Sequence, residues 1–414
     1  MKTTTKTIHL MLLCFFCSSS IYCQTTDRFV YPNAQSPDFA DIQSAIDAAS
    51  NGDNIYIDTA EFIGNININK TLSLYPLHKG GMYTINGALT LTLINNRTIY
   101  IQGLNGGGVS SSFSGNYTDS ASVILNGCEF SSGVSINDNY SIRSFIYYST
   151  FNSSVNLDAC ELIGNTFNGA VNITPNQYTS NPNPPSIKIY ANNFSYTGTQ
   201  LSITYAYNSN MHIANNFFYA TYTGKNISIN ANNNADKIII ENNIFKHTST
   251  SSSYNYYYQV QVAYADFLFI RNNYFDVYTN YTRGVTTSGI GIYDFQYNFS
   301  NTSSSNFSEG SGTIQTIANN TYSTYLSYGT TSQNSLGNVT TSAGQNAGSQ
   351  LPECRDIDNT QNDIGTFGGP HSWSNYHNSS SSMAQILDLE IPYYQIVLPG
   401  TVINFKSKAI HKNE

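Results

Sequence analysis

HIANNFFY (212–219), IIENNIFK (239–246) and FIRNNYFD (269–276) are three copies of one pattern. Each reads as the end of an apolar strand, a pair of turn residues and an aromatic. Further copies stand on either side: LIGNTFNG (162–169), IYANNFSY (189–196) and TIANNTYS (316–323), with weaker forms in ILNGCEFS (124–131) and IYYSTFNS (146–153). Aligned on the last Asn, the strong copies fall at Asn165, Asn193, Asn216, Asn243, Asn273 and Asn320, the final step spanning two units. A unit of roughly 20–30 residues with short strands and a turn is the signature of a solenoid.

The alignment assigns roles. Ile213, Ile240, Ile270 and Ile317 share one inward position, and Met211, Ile238 and Leu268 share another two residues earlier, as strand alternation requires. Asn at the turn tolerates left-handed backbone and bonds locally. Stacked on successive rungs, such side chains can hydrogen-bond along the axis, as amide ladders do in cross-β structures. The Phe that follows, at 167, 218, 245 and 275, is expected to fill the core beside the turn.

Upstream, YPNAQSPDFADIQSAIDAASNGDNIYID (31–58) contains one amphipathic helix. Phe39, Ile42, Ile46 and Ala49 have helical spacing, Asp38 is placed to cap the start, and Asn51-Gly52 ends it. Only short alternating strands follow. A helix ahead of a strand stack suits a cap over the open first rung. The helix start DFADIQSAIDAASNGDNIYI and the NNxF rungs resemble the right-handed parallel β-helix, the pectin-lyase-like superfamily, over about residues 38–345. The expected fold is all-β: a right-handed parallel β-helix solenoid (24–350) with an N-terminal capping helix and a small C-terminal β-appendage (351–414). CRDIDNTQNDIGTFGGP (354–370) resembles a segment that closes many secreted bacterial β-helix proteins, with Asn359 where Gly is usual. After it, ILDLEI, YYQIVLP and TVINFKSK read as three short strands.

The N-terminus reads as an export signal, residues 1–23. Lys2 and Lys6 precede IHLMLLCFFC (8–17), an apolar run too short to span a bilayer. The expected localisation is outside the cytoplasm, secreted or on the cell surface, with the periplasm as an alternative and no stable membrane insertion. Cys14, Cys17 and Cys23 belong to this segment. Cys128, Cys160 and Cys354 remain, an odd number with no metal spacing; buried thiols are the first reading and a Cys128–Cys160 bridge the second.

Charged residues are 10% of the chain, net charge is -8 and aromatics are 14%, with 33 Tyr against one Trp. The acidic balance and scattered cations argue against a nucleic-acid partner. The aromatics argue against disorder.

Candidate chemistry is sparse. The resemblance implies a search for the Lys or Arg base of β-helix lyases or the clustered Asp residues of β-helix glycosidases, and neither series stands on successive rungs. Glu241 and Arg271 share one rung position, Lys246 and Asp276 another, and His247 adjoins Lys246. They form either a small acid/base patch or two exposed cross-rung ion pairs that hold register. Asp356, Asp358 and Asp363 are the metal candidates, offering oxygen ligands to Ca²⁺, or else they build Asx turns. Tyr254, Tyr256, Tyr257, Tyr258, Tyr274 and Tyr278 are the sugar-stacking candidates, since Tyr joins an apolar face to a hydroxyl; packing on a pleated surface is the other reading. Three functions stay open. The first is a polysaccharide- or glycan-binding β-helix using Tyr-rich loops. The second is a polysaccharide lyase or glycoside hydrolase. The third is a structural or adhesive rod.

Overall fold

The computed structural model describes residues 26–115, 120–137, 142–175, 186–204, 209–220, 224–247, 257–276, 282–304, 307–322, 344–377, 384–390 and 406–411. The export segment lies outside the described residues. The chain is a parallel β-helix of about 10 turns. Most turns contribute three short strands, two of which run together in the later turns as the 15-residue strands Ile227–Glu241, Tyr257–Arg271 and Thr282–Gln296. Strands of successive turns pair in parallel and in register: Met211 with Ile238 and Ile238 with Leu268, Ile213 with Ile240 and Ile240 with Ile270. The inward positions read from the alternation are therefore the core, and all six of these side chains are buried.

The Asn-Asn pair does two jobs, and its two members divide them. The second Asn points inward and builds a ladder. Asn165 donates through Nδ2 to Asn192 Oδ1 at 2.9 Å, and the series continues through Asn216, Asn243, Asn273, Asn298 and Asn320 at 3.0 to 3.2 Å. The rung at 189–196 enters through Asn192, not Asn193, because Phe194 must pair with Phe218. Asn298 supplies the rung between Asn273 and Asn320. The first residue of the pair takes the left-handed conformation: Asn215 (φ 57), Asn242 (φ 54), Asn272 (φ 57) and Asn319 (φ 58). Left-handed backbone thus belongs to the residue before the ladder Asn, where Asn is tolerated and a β-branched residue is strained.

Inside the turn, Phe130, Phe151, Phe167, Phe194, Phe218, Phe245 and Phe275 stack at centroid separations of 4.6 to 5.3 Å. Amide ladder and ring stack share the pitch of the strands, about 4.8 Å.

The helix is Ile42–Ala48, and it buries Ile42, Ala45 and Ile46 in the main core. Its cap is Asp41, whose carboxylate accepts from Ser44 N at 2.8 Å; Asp38 instead accepts from the Tyr31 hydroxyl. The cap falls at Asp41 because Phe39 is held in a bridge to Val30, which delays the helix start. Lys70 Nζ closes the other end, donating to the carbonyls of Ile46, Asp47 and Ala49 at 2.7 to 2.9 Å. Cys128, Cys160 and Cys354 are buried free thiols, so Cys128 and Cys160 are not bridged. Near the C-terminus, Ala384–Glu390 and Lys406–His411 pair antiparallel, and the expected middle strand lies outside the described residues. Among the described residues, no helix is long and apolar enough to cross a membrane.

Candidate functional site

The outward side chains of the left-handed turn residues form a receiving edge for residues 344–377. Asn215 Nδ2 donates to the carbonyls of Thr366 and Gly368 at 3.0 and 2.6 Å. Asn242 Nδ2 donates to Asn362 Oδ1 and the Asp363 carbonyl, both at 2.8 Å. Asn272 Oδ1 accepts from Ser349 N at 2.8 Å, and His377 Nε2 bonds the Ala191 carbonyl at 2.7 Å. The segment thus runs back along the flank, from the rung of Asn272 to that of Ala191. Its Ile364, Trp373 and Tyr376 complete a second apolar cluster with Tyr190, Phe217 and Tyr274. Gly368 is required there: a Cβ would lie 1.9 Å from the Asp363 carbonyl oxygen. The stretch 344–352 is part of this packed flank, with Ser349 N donating to Asn272 Oδ1 and the Gly348 carbonyl accepting from Gln361.

Beneath the segment lies a charged network. Glu241 Oε1 is 2.7 Å from His212 Nε2, and Glu241 Oε2 accepts from Arg271 Nε at 2.9 Å. His212 Nδ1 meets the Tyr190 hydroxyl at 2.9 Å, and the His371 ring stacks on Tyr190 at 4.1 Å. Glu241 and Arg271 are indeed rung neighbours, but the pair is not an exposed one, since only 7% of Glu241 is exposed. Burial alone would raise the Glu241 carboxyl pKa. The His212 hydrogen bond and the charges of His212 and Arg271 outweigh it and hold the carboxyl well below the usual range. An imidazole between a phenol and a carboxylate has the makings of a proton relay. Here the Tyr190 end is buried under His371, and the network joins the segment to the rungs.

Lys246 and Asp276 are also rung neighbours, and both Lys246 and His247 are buried. Burial raises the Asp276 carboxyl pKa, against the pull of the Lys246 charge and of the hydrogen bond from Asn301. The five residues of the expected charged patch are therefore mostly enclosed, and they fall into two separate groups. Of the tyrosines, Tyr274 is buried in the second apolar cluster and so presents no ring face for stacking. Tyr258 is half-buried, while Tyr254, Tyr256, Tyr278 and the side chain of Tyr257 lie outside the described residues.

The three Asp carboxylates are engaged locally. Asp356 accepts from Gly369 N and Asp363 N, Asp358 from Thr360 N at 3.0 Å, and Asp363 from Asn346 N at 2.6 Å. Burial, with the neighbouring negative charge, raises the carboxyl pKa of Asp356 and Asp363. Asn359 occupies its position at φ 65, as a substitute for Gly must. Among the described residues, no group of three or more His, Cys, Asp or Glu is arranged to hold a metal.

Among the described residues, one face of the solenoid is left uncovered. On it, successive outward positions are Asn67, Thr90, Ser110, Ser135, Asn156, Asn172, Ser202, Ser228, Gln261 and Thr286, each paired in register with the next. None of the ten is charged and none is buried. Asn172 Nδ2 donates to Asn156 Oδ1 at 3.0 Å along the row. The inward neighbours, Val155, Val171, Leu201, Ile227 and Val260, are buried and hold the face flat. Sequence reasoning missed this row because it followed the conspicuous NN pairs and ignored the ordinary Ser, Thr and Asn one strand earlier. It also missed His212, which only the rung register brings to Glu241. No family model matches the chain, and no curated protein or solved structure matches it.

Proposed function

We propose that this is an exported β-helix protein that binds polysaccharide, with the chain lying along the uncharged row from Asn67 to Thr286. The row itself is the observation that carries this reading. Hydroxyl and amide groups recur at about 4.8 Å for ten rungs, roughly 43 Å in all. Such groups donate and accept, as sugar hydroxyls do, and no buried charge has to be stripped of water. Tyr258, half-buried, stands three residues before Gln261 on the same strand, so one aromatic side chain lies near the row. Export rests on the N-terminal Lys-flanked apolar run, and the partner class on the absence of charge in the row. The row carries no acid or base, so binding without turnover is the favoured form.

The test is retention of the full chain on neutral and on uronic-acid polysaccharides. Neutral polymers are expected to retain it and uronic acids not, since the row offers no cation to a carboxylate. Ser202→Lys with Ser228→Lys, both on half-exposed positions, is expected to weaken retention at least tenfold; unchanged retention would defeat the reading. Reducing-end release on the same panel separates binding from hydrolysis or elimination. Calcium at the Asp356–Asp363 loop is a separate proposal, supported by the alternate carboxylates alone. Added calcium would then raise the melting temperature and chelator would reverse it, whereas an Asp356→Asn chain would not respond.

A further inference from the structure

The polar row from Asn67 to Thr286 runs along the solenoid axis without a slip. Each member pairs with the next in register, and the shifts at Ile85/Ala88 and Asn230/Ala235 fall outside it. A second row lies beside it, two residues further along the strands and so about 6.6 Å away. It holds Thr92 and Ser112 at one end, and Thr204, Asn230, Ala263 and Ser288 at the other. None of these is charged or buried. Asp158, two residues after Asn156 in the middle rungs, is buried. Side-chain bonds stay within the band: Thr92 Oγ1 donates to Asn67 Oδ1 at 3.0 Å, as Asn172 Nδ2 does to Asn156 Oδ1 at 3.0 Å. The surface is a long, narrow, uncharged strip of short side chains.

We infer that the polymer held on this strip is an extended ribbon, a neutral β-1,4-linked chain of the glucan, mannan or xylan type, lying along the axis with about one sugar per rung. The inference rests on the polysaccharide reading above and names the class of its ligand. Each contact that Ser, Thr, Asn or Gln makes to a hydroxyl replaces a contact to water, so the net gain per rung is small. Affinity must therefore come from many contacts along one line, which only a straight ligand can make. Linkage through equatorial positions turns each sugar over relative to the last and keeps the chain straight and flat. Its rise per sugar is close to the rung spacing of about 4.8 Å, so sugars and rungs stay in step. Alternate sugars present opposite edges, and side chains that both donate and accept tolerate the alternation. An α-1,4- or β-1,3-linked glucan winds into a helix instead. It would leave the strip after a few sugars and the rest of the row would go unused.

Affinity electrophoresis of the full chain, through gels that each hold one soluble polymer, tests this. Galactomannan and arabinoxylan should retard the protein, and α-1,4- and β-1,3-glucans should do so at least tenfold less. In calorimetry with β-1,4-mannan oligosaccharides, affinity should rise with length to about ten sugars and then level off. Asn172→Lys, half-exposed in the middle of the row, should make it level off at about five, with the far-ultraviolet circular dichroism unchanged. Equal retardation by the helical glucans would overturn the inference and leave polysaccharide binding standing. So would an affinity that stops rising after a few sugars, or an Asn172→Lys chain with the wild-type length dependence. Retardation by no polymer at all would overturn both readings together.

Discussion

Asn243→Leu will destabilise the protein by about 3–5 kcal/mol, while the same change at Asn320 will cost about 1 kcal/mol. Asn243 is fully buried and donates to the Ile213 and Glu241 carbonyls at 2.9 Å and to Asn273 Oδ1 at 3.0 Å. Its own Oδ1 accepts from Asn216 N and Asn216 Nδ2, both at 3.0 Å. Leucine has a similar volume and none of these groups, so the backbone N–H of Asn216 is left buried without its acceptor. That desolvation penalty, more than the lost bonds, sets the size of the effect. Asn320 has the same chemistry but is half-buried at the end of the ladder, where water replaces the lost partners. Denaturant midpoints by circular dichroism give the comparison. Equal and small losses at both positions would mean that the ladder only follows the fold and does not hold it. In a solenoid a broken middle rung should also broaden the transition, because each rung is stabilised by its neighbours.

Arg271→Met will cost about 3–5 kcal/mol, and adding Glu241→Gln will recover most of it. Removing the guanidinium leaves the Glu241 carboxylate buried with only His212 beside it, whereas the double variant removes the charge that needed a partner. The pH dependence follows from the depressed Glu241 pKa. A carboxyl held below its unfolded value contributes stability above that value and loses it as pH falls through the folded one. The unfolded value for Glu is about 4.3. The gap in stability between wild type and Glu241→Gln should thus be constant from pH 8 to roughly 5 and shrink only in stronger acid. A gap that already closes between pH 7 and 5 would mean that the Glu241 carboxyl is not held below its usual range and would refute the assignment. Unfolding midpoints across that range decide it.

The rung pattern was legible because a parallel solenoid repeats one environment. The apolar alternation at Ile213, Ile240 and Ile270 and the Phe after each turn are dictated locally, and they gave the fold class without any partner. Register was legible only to within one residue: Asn193 and Asn192 are equivalent in the sequence, and the pairing of Phe194 with Phe218 chooses between them. The division of labour within each Asn pair was not legible, since a left-handed turn residue and a ladder residue favour the same amino acid for different reasons.

The candidate site depended on tertiary structure almost throughout. Glu241 and Arg271 were paired correctly from rung alignment, but whether an outward pair faces water depends on what lies over it. Here that is a segment about 120 residues later in the chain, as the bond from Asn242 to Asn362 shows. Tyr274 was a stacking candidate by composition and became a core residue for the same reason. The sequence alone determined a parallel β-helix with turn Asn residues placed to ladder and a core Phe beside each turn, because those follow from repeat and alternation. Only the tertiary structure decided which faces of that helix are closed and which are open, because covering a face is a long-range choice that no local period records.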